Sequence, residues 1–352
     1  MNESQHLVLG ADVGGSTARF AIVSASAEMW APLRLEMFPT AAVGSFRAAL
    51  AHLLQSRFEG LDAACIAVAG PVRDDRVRLT NLPWEIDVAS VAKQLSLPPN
   101  RVRLINDLEA IAWAIPTFTE EQLSTLQVGQ PGPGNAALLA AGTGLGEAGV
   151  VWDGDTQHPF ASEGGHADFA PRDDVEWGLA CQLVARWGHA SLERVVSGPG
   201  LLALYRYLLQ LRKATPPREV GERLRAGEGA AVVTDAALAG ECAIAAEAVE
   251  RFAGLLGAEA GNLALKLLAR GGVYVGGGIP PKLLPLLPPR LFVDAFLAKG
   301  RMRQLLESFP VHVIIDETAG LRGATVVASR LATARRGRRP GSQRIPARKP
   351  GE

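Results

Sequence analysis

The sequence predicts a two-lobed α/β protein in which each lobe is a mixed sheet flanked by helices. Three observations carry this reading. The segment LVLGADVGGSTARFAIVSA is apolar, breaks at Gly14 and Gly15, and then resumes its apolar character, the pattern of strand, tight turn, strand. After Pro116 the segment AALLAAGTGLGEAGVVW repeats that pattern, as an internal duplication would. The chain has 352 residues, 48% of them hydrophobic, which is long enough for two lobes, each with its own core.

The elements follow in order. SFRAALAHLLQS carries Phe, Ala and Leu at helical spacing, and AACIAVAGPV reads as a buried strand ending at Gly70-Pro71. RVRLTNLPWEID is a short strand running into an irregular loop, DVASVAKQL a short helix, and VRLINDLEAIAWAI a strand passing directly into a helix. The second half adds long helices near 174–188, 198–212 and 241–270, a strand GGVYVGGG and a late strand VHVIID. The expected organisation is a small lobe over 1–117, completed by 318–334, a large lobe over 118–317, and a basic tail over 335–352. A cleft between the lobes is the expected ligand site.

Composition narrows the function classes. Lys plus Arg and Asp plus Glu are each 36, so no net field draws the chain to nucleic acid or a membrane surface. Arg335, Arg336, Arg338, Arg339, Arg344, Arg348 and Lys349 crowd the C-terminus among Gly and Pro, which reads as a solvated, disordered tail. Cys65, Cys181 and Cys242 are isolated and lack CxxC spacing, so neither a disulfide framework nor a zinc site is indicated. With no basic-then-apolar leader and no run of about 18 apolar residues, the expectation is a soluble cytoplasmic protein.

Five segments carry candidate chemistry. GADVGGSTARF sets Asp12 at the end of a strand before a turn whose Gly14 and Gly15 can offer N–H groups to an anion, with Ser16 and Thr17 adding hydroxyls. A carboxylate beside such a turn suits Mg²⁺ held through water and phosphate, or simply a capped hairpin. AAGTGLGEAGV supplies a second turn through Gly142, Thr143, Gly144 and Gly146, and matches neither a P-loop nor a Rossmann fingerprint. VRLINDLEA places Asn106 and Asp107 where strand becomes helix, and there Asp107 fits either a helix cap or a base that takes a proton from an attacking hydroxyl. SEGGHADFAP brings Glu163 and His166 together around two glycines, as groups that can hydrogen-bond vicinal hydroxyls. Asp168, Asp173 and Asp174 read as turn and helix-start residues. VYVGGGIPPK presents Gly276, Gly277 and Gly278 as bare backbone against which a flat ring can lie.

Two glycine hairpins opening corresponding lobes resemble the phosphate-binding hairpins of the actin-like ATPase superfamily, whose fold is ribonuclease H-like. Read in order, DVGGSTAR, AGPV, LTNLPW, LINDLEA, AAGTGLG, SEGGHADFAP, LERVVSGPGL, GNLAL and GGVYVGGGIPPK resemble the bacterial glucokinase family from about residue 7 to 330. The resemblance implies an ATP-dependent kinase converting glucose to glucose 6-phosphate. It makes Asp107 the base, and Asn81, Asn106, Glu163, His166 and Glu193 partners of the sugar hydroxyls. Asp12, Gly14, Gly15, Ser16, Thr17 and Gly142–Gly146 would hold phosphates and Mg²⁺, and Gly276–Gly278 would approach the adenine. Composition alone reads Glu193 as an exposed helical residue. A homodimer is a further expectation of the resemblance.

The related ROK kinases and repressors carry a Cys-rich zinc motif after their His, which the stretch after His166 lacks, and the repressors place a DNA-binding domain ahead of the kinase fold. A transcription factor is therefore not expected. The rival readings are a kinase for another hexose, and a sugar-sensing regulator without catalysis, whose signature would be loss of the base or of a phosphate turn.

Overall fold

The apolar run Leu7–Val13 forms strand β1 and Thr17–Ser24 forms β2, paired antiparallel from Leu7 opposite Ser24 to Val13 opposite Ala18. This is a computed structural model, and it describes residues 6–25, 30–55, 60–70, 72–79, 82–284 and 289–334. The chain divides into two units, Met1–Asp107 with Ala324–Glu352, and Leu108–Gly323.

In the first unit β3 (Arg34–Pro39), helix α1 (Phe46–Leu54), β4 (Leu61–Val68), β5 (Arg76–Arg78), β6 (Glu85–Asp87), α2 (Val88–Leu95) and β7 (Val102–Asn106) follow. The main sheet has the order β3-β2-β1-β4-β7, antiparallel through β3, β2 and β1 and parallel from β1 to β7. Its core gathers Leu9, Phe20, Ile22, Leu50, Ile66 and Leu104, with Trp84 buried from the loop before β6. Ser45 caps α1 by accepting the N–H of Ala48, and Asp87 caps α2 by accepting that of Ser90. Helix α3 (Asp107–Ala114) then carries the chain into the second unit.

The second unit contains β8 (Leu123–Gln127), β9 (Ala136–Ala141), β10 (Leu145–Trp152) and β11 (Gln157–Ser162). Helices α4 (Asp174–Trp187), α5 (Gly198–Leu211), α6 (Arg218–Arg225), α7 (Ala230–Leu238) and α8 (Ala243–Leu267) come next. Strand β12 (Val273–Gly276), helices α9 (Pro280–Leu283), α10 (Pro289–Leu297) and α11 (Arg303–Glu307), and strand β13 (Val311–Ile314) complete it. The sheet runs β11-β10-β9-β12-β13-β8. Set β8 aside, and its five strands in chain order take the spatial order third, second, first, fourth, fifth, as in the first unit. The duplication read from the two hairpins thus extends to the whole strand order. The buried centre of α8, including Phe252, Leu256 and Ala260, shares one core with β9, β12 and α5.

Helix α12 (Ala319–Thr333) returns the chain to the first unit, where Arg101 donates to the carbonyls of Leu331 and Ala332 and Trp30 Nε1 donates to Thr325 Oγ1 at 3.1 Å. No helix among the described residues is long and apolar enough to cross a membrane. The basic tail over 335–352 lies outside the described residues.

Strands β3, β6, β8 and β11 and helices α6, α7, α10, α11 and α12 are among the elements not expected above. β3 and β11 are edge strands with no fully buried residue, and β11 holds Pro159. Edge strands need no continuous apolar face and tolerate proline, so they leave a weak periodic signal.

Candidate active site

Two groups of side chains form, one in each unit. In the first unit the β1–β2 turn is tied by Gly14 N–H donating to Thr17 O at 3.0 Å. It is braced from the segment after β3, where Thr40 Oγ1 donates to Gly15 O at 2.8 Å and Thr40 N to Ser16 O at 3.0 Å. The N–H groups of Gly15 and Ser16 donate to no acceptor among the described residues, so the tip presents two open donors. Such donors side by side form an anion-binding concavity.

Asp12 is the penultimate residue of β1, just before this turn, with Arg19 Nη1 at 3.5 Å from its Oδ2. Burial pushes its pKa up to about 6; Arg19 opposes the rise and the negative charge of Asp107 adds to it. Asp12 pairs across to Ala67 on β4, and Val68 on β4 pairs with Asn106 on β7. Parallel pairing therefore delivers Asp12 and Asn106 to the same end of the sheet. Asn106 ends β7 and donates Nδ2 to Gly70 O at 3.4 Å, and Asp107 begins α3. The cap position thus falls on Asn106, and Asp107 stands in the first helical turn, where a negative charge is favoured. Asn81 lies outside the described residues, as does Thr80.

In the second unit the β9–β10 turn is held by Gly142 N–H donating to Gly144 O at 2.9 Å, while Gly198 N–H donates to Gly142 O at 2.8 Å. The N–H groups of Thr143 and Gly144 donate to no acceptor among the described residues, which gives this turn open donors like those of the first. Glu193 is not helical. It sits half-buried in a turn, its Oε2 accepts Leu145 N–H at 3.1 Å, and its own N–H donates to Gly165 O at 2.8 Å. It therefore ties the glycine hairpin to the Glu163–His166 loop. Its Oε2 occupies the space a Cβ on Gly144 would need.

The Glu163 and His166 side chains are exposed, with His166 Nε2 at 3.9 Å from Glu163 Oε2. Between them Gly164 packs against the Glu147 carboxyl and Gly165 against Leu145 O, both closer than any Cβ allows. Asp168 pairs with His189 at 2.7 Å, and Asp173 caps α4 by accepting Glu176 N–H while pairing with Arg251 at 2.9 Å. Asp173→Ala is expected to lower stability by about 1 kcal/mol, most of it from the cap, read as a lower denaturant midpoint at unchanged slope.

After β12, Gly277 adopts φ +92° and packs on the backbone of Ala141, with Ile279 N–H donating to Ala141 O at 3.2 Å. The third glycine cluster thus lies against the base of the second hairpin. Beside both opens a cavity of about 580 Å³, lined by Gly142, Thr143, Gly198, Ala230, Leu238, Gly278, Ile279 and Lys282 among others. Its apolar walls with a few polar groups match the usual small-molecule site.

The sequence reading missed the α7 wall of this cavity, Lys282, the brace from Thr40 and the buried Glu147. It also missed Ser197 as the cap of α5, which accepts Gly200 N–H at 3.1 Å and donates to Glu193 O at 2.6 Å. The Ser-Gly-Pro-Gly sequence, a cap residue with proline in the first turn, was the available signal.

Comparison with known proteins gives one picture. A family model described as Glucokinase matches residues 9–331. A glucokinase of Synechocystis sp. is 40% identical over 348 residues, covering 91% of this chain and 97% of that protein. A glucokinase of Nostoc sp. is 42% identical over 284 residues, covering 77% and 82%. The crystal structure of glucokinase from an Antarctic psychrotroph superposes with a TM-score of 0.82 at 33% identity, over 92% of this chain and 98% of that one.

Proposed function

The chain belongs to the glucokinase family and phosphorylates glucose, and on that premise we propose how its residues carry out the reaction with ATP as donor. The observation that carries the proposal is the pair of glycine turns, each with two adjacent N–H groups that donate to no acceptor among the described residues. Phosphoryl transfer asks a protein for little covalent help. It needs donors fixed where charge builds on the phosphoryl oxygens and a group that accepts the proton of the attacking hydroxyl.

The nucleoside of ATP occupies the cavity beside Gly276–Gly278, and its phosphates lie along the open donors of Thr143 and Gly144 and of Gly15 and Ser16. Glucose is held by Asn81, Asn106, Asp107, Glu163, His166 and Glu193. Asp107 takes the proton from the 6-hydroxyl as that oxygen bonds to the γ-phosphorus, and the bond from phosphorus to the bridging oxygen of ADP breaks. Glu193 positions as well as binds, because its carboxylate fixes Leu145 at the root of the second turn.

The residues present fit a Mg²⁺ ion. Asp12 is a largely buried carboxylate whose acidity is weakened first by burial and then by the charge of Asp107, and hard oxygen donors of this kind hold Mg²⁺ through its waters. Bound there with the phosphates, the ion would neutralise their charge. Location in the cytoplasm and a homodimeric state belong to the same proposal.

A panel of hexoses assayed with ATP and with polyphosphate tests the specificity. Glucose with ATP is expected to give the highest kcat/KM, and a better result with mannose, fructose or an N-acetylhexosamine would refute the assigned sugar contacts.

A further inference from the structure

Glu147 from β10 and Glu259 from α8 are each 1% exposed, and their side chains lie within hydrogen-bonding reach of one another. Strand alternation puts Glu147 on the face it shares with Leu145, the face covered by α8. The Oε1 atoms of both carboxyls are buried without a hydrogen-bond partner as two carboxylates. Two such orphans side by side are costly, and a proton between them makes one the donor and the other the acceptor.

The charges around the pair decide which one holds the proton. On α8, Lys266 Nζ is 3.7 Å from Glu259 Oε1, and Asn262 Nδ2 donates to Glu259 Oε2 at 2.9 Å. Lys299 reaches Asn262 Oδ1 at 2.6 Å and adds positive charge on the same side. On the other side stand the neutral strand neighbours Leu139 and Ser162 and the loop bearing Glu163 and His166, while the Glu193 carboxylate is taken by Leu145 N–H. The positive charge thus gathers on the Glu259 side of the pair. Burial pushes the Glu147 pKa up to about 7, with the charge of Glu259 adding and Lys266 opposing.

Glu147 is also the floor of the sugar loop. Its Oε2 lies directly under Gly164, and Ser162 Oγ donates to Glu147 O at 3.0 Å. We propose that Glu147 and Glu259 share a single proton, and that this buried acid–carboxylate pair sets the height of the Gly164–Gly165 turn, making Glu147 a positioning residue for Glu163 and His166. The proposal rests on the reading of that loop as the glucose contact. When that proton leaves, two negative charges face each other in the core, and the loop above them is the part free to move. Alkaline pH then weakens glucose binding without touching the nucleotide cavity.

The test is steady-state kinetics from pH 6 to 9 on wild type, Glu147→Gln, Glu147→Ala and the apolar double variant Glu147→Val/Glu259→Leu. Wild type is expected to show a glucose KM rising at least fivefold as pH passes 7, with the ATP KM unchanged. Glu147→Gln keeps a donor to Glu259 but has no proton to lose, so its glucose KM stays low and flat. Glu147→Ala strands the Glu259 charge and raises the glucose KM about tenfold at every pH. The double variant removes the buried charge altogether and guards against simple misfolding; its glucose KM is raised but independent of pH.

A Glu147→Gln profile that follows wild type, or a Glu147→Ala glucose KM equal to wild type, overturns the proposal. His166→Ala run alongside separates it from the reading beneath it: an unchanged glucose KM there refutes the sugar loop and the positioning role together. Proton sharing itself is then judged by thermal unfolding against pH. The unfolded chain loses the Glu147 proton at the usual glutamate value and the folded chain keeps it to about 7. Wild type must therefore lose stability relative to Glu147→Gln as pH rises across that interval. Parallel curves exclude the shared proton.

Discussion

Asp107→Asn is expected to lower kcat by about 10²–10⁴-fold, the range a positioned general base supplies, while the glucose Kd stays within about threefold. The amide keeps an acceptor for a sugar hydroxyl but cannot take its proton. Substitution also removes one of the two influences that raise the Asp12 pKa, so Asp12 becomes more acidic in the variant. A coupled assay gives kcat and calorimetry gives the glucose affinity. Normal turnover would remove Asp107 as the base, and equal losses in kcat and in glucose affinity would make it a binding residue only.

Gly277→Ala is expected to raise the ATP KM more than tenfold and to lower the melting temperature by several degrees. The residue sits at φ +92°, where an L side chain is strained, and the new Cβ would overlap the backbone of Ala141. Ala141 cannot retreat cheaply, because it ends β9 and accepts the N–H of Ile279. The two costs together are roughly 2–4 kcal/mol, delivered to the root of the second phosphate turn and the wall of the nucleotide cavity. Gly278→Ala is the control: no atom of the described residues lies within 4 Å of its added Cβ, so stability should be unchanged. The argument fails if Gly277→Ala matches that control in both melting temperature and ATP KM.

The legible parts of the sequence were those with local causes. Gly14-Gly15 and Gly142–Gly146 interrupt apolar runs and mark the two hairpins, and Asn106 and Asp107 stand where β7 gives way to α3, as expected. The long helices α4, α5 and α8 lie within a few residues of their predicted spans. Less legible were segments whose state depends on neighbours. β3, β8 and β11 are edge strands, shaped by the partner strand more than by their own periodicity. Residues 212–242 carry α6 and α7, which are short and punctuated by Pro217, Gly227, Gly229 and Gly240, so neither has the length to show a firm period.

Glu193 shows the boundary most clearly. Its composition reads as a surface helical residue, whereas its carboxylate is bound to Leu145 N–H and its backbone to Gly165 O, partners 48 and 28 positions earlier in the chain. Glu147 is the same case, since an acidic residue within a β-strand gives no hint of a second carboxyl on α8. The sequence by itself determined the two hairpins, their repetition and the residue types that phosphoryl transfer needs, because turns and strand-to-helix junctions are set by backbone preferences a few residues long. Only the tertiary structure decided which carboxylates stay exposed, which brace the hairpin and which are buried in the core, because those placements follow from burial and from partners that chain folding alone brings within hydrogen-bond reach.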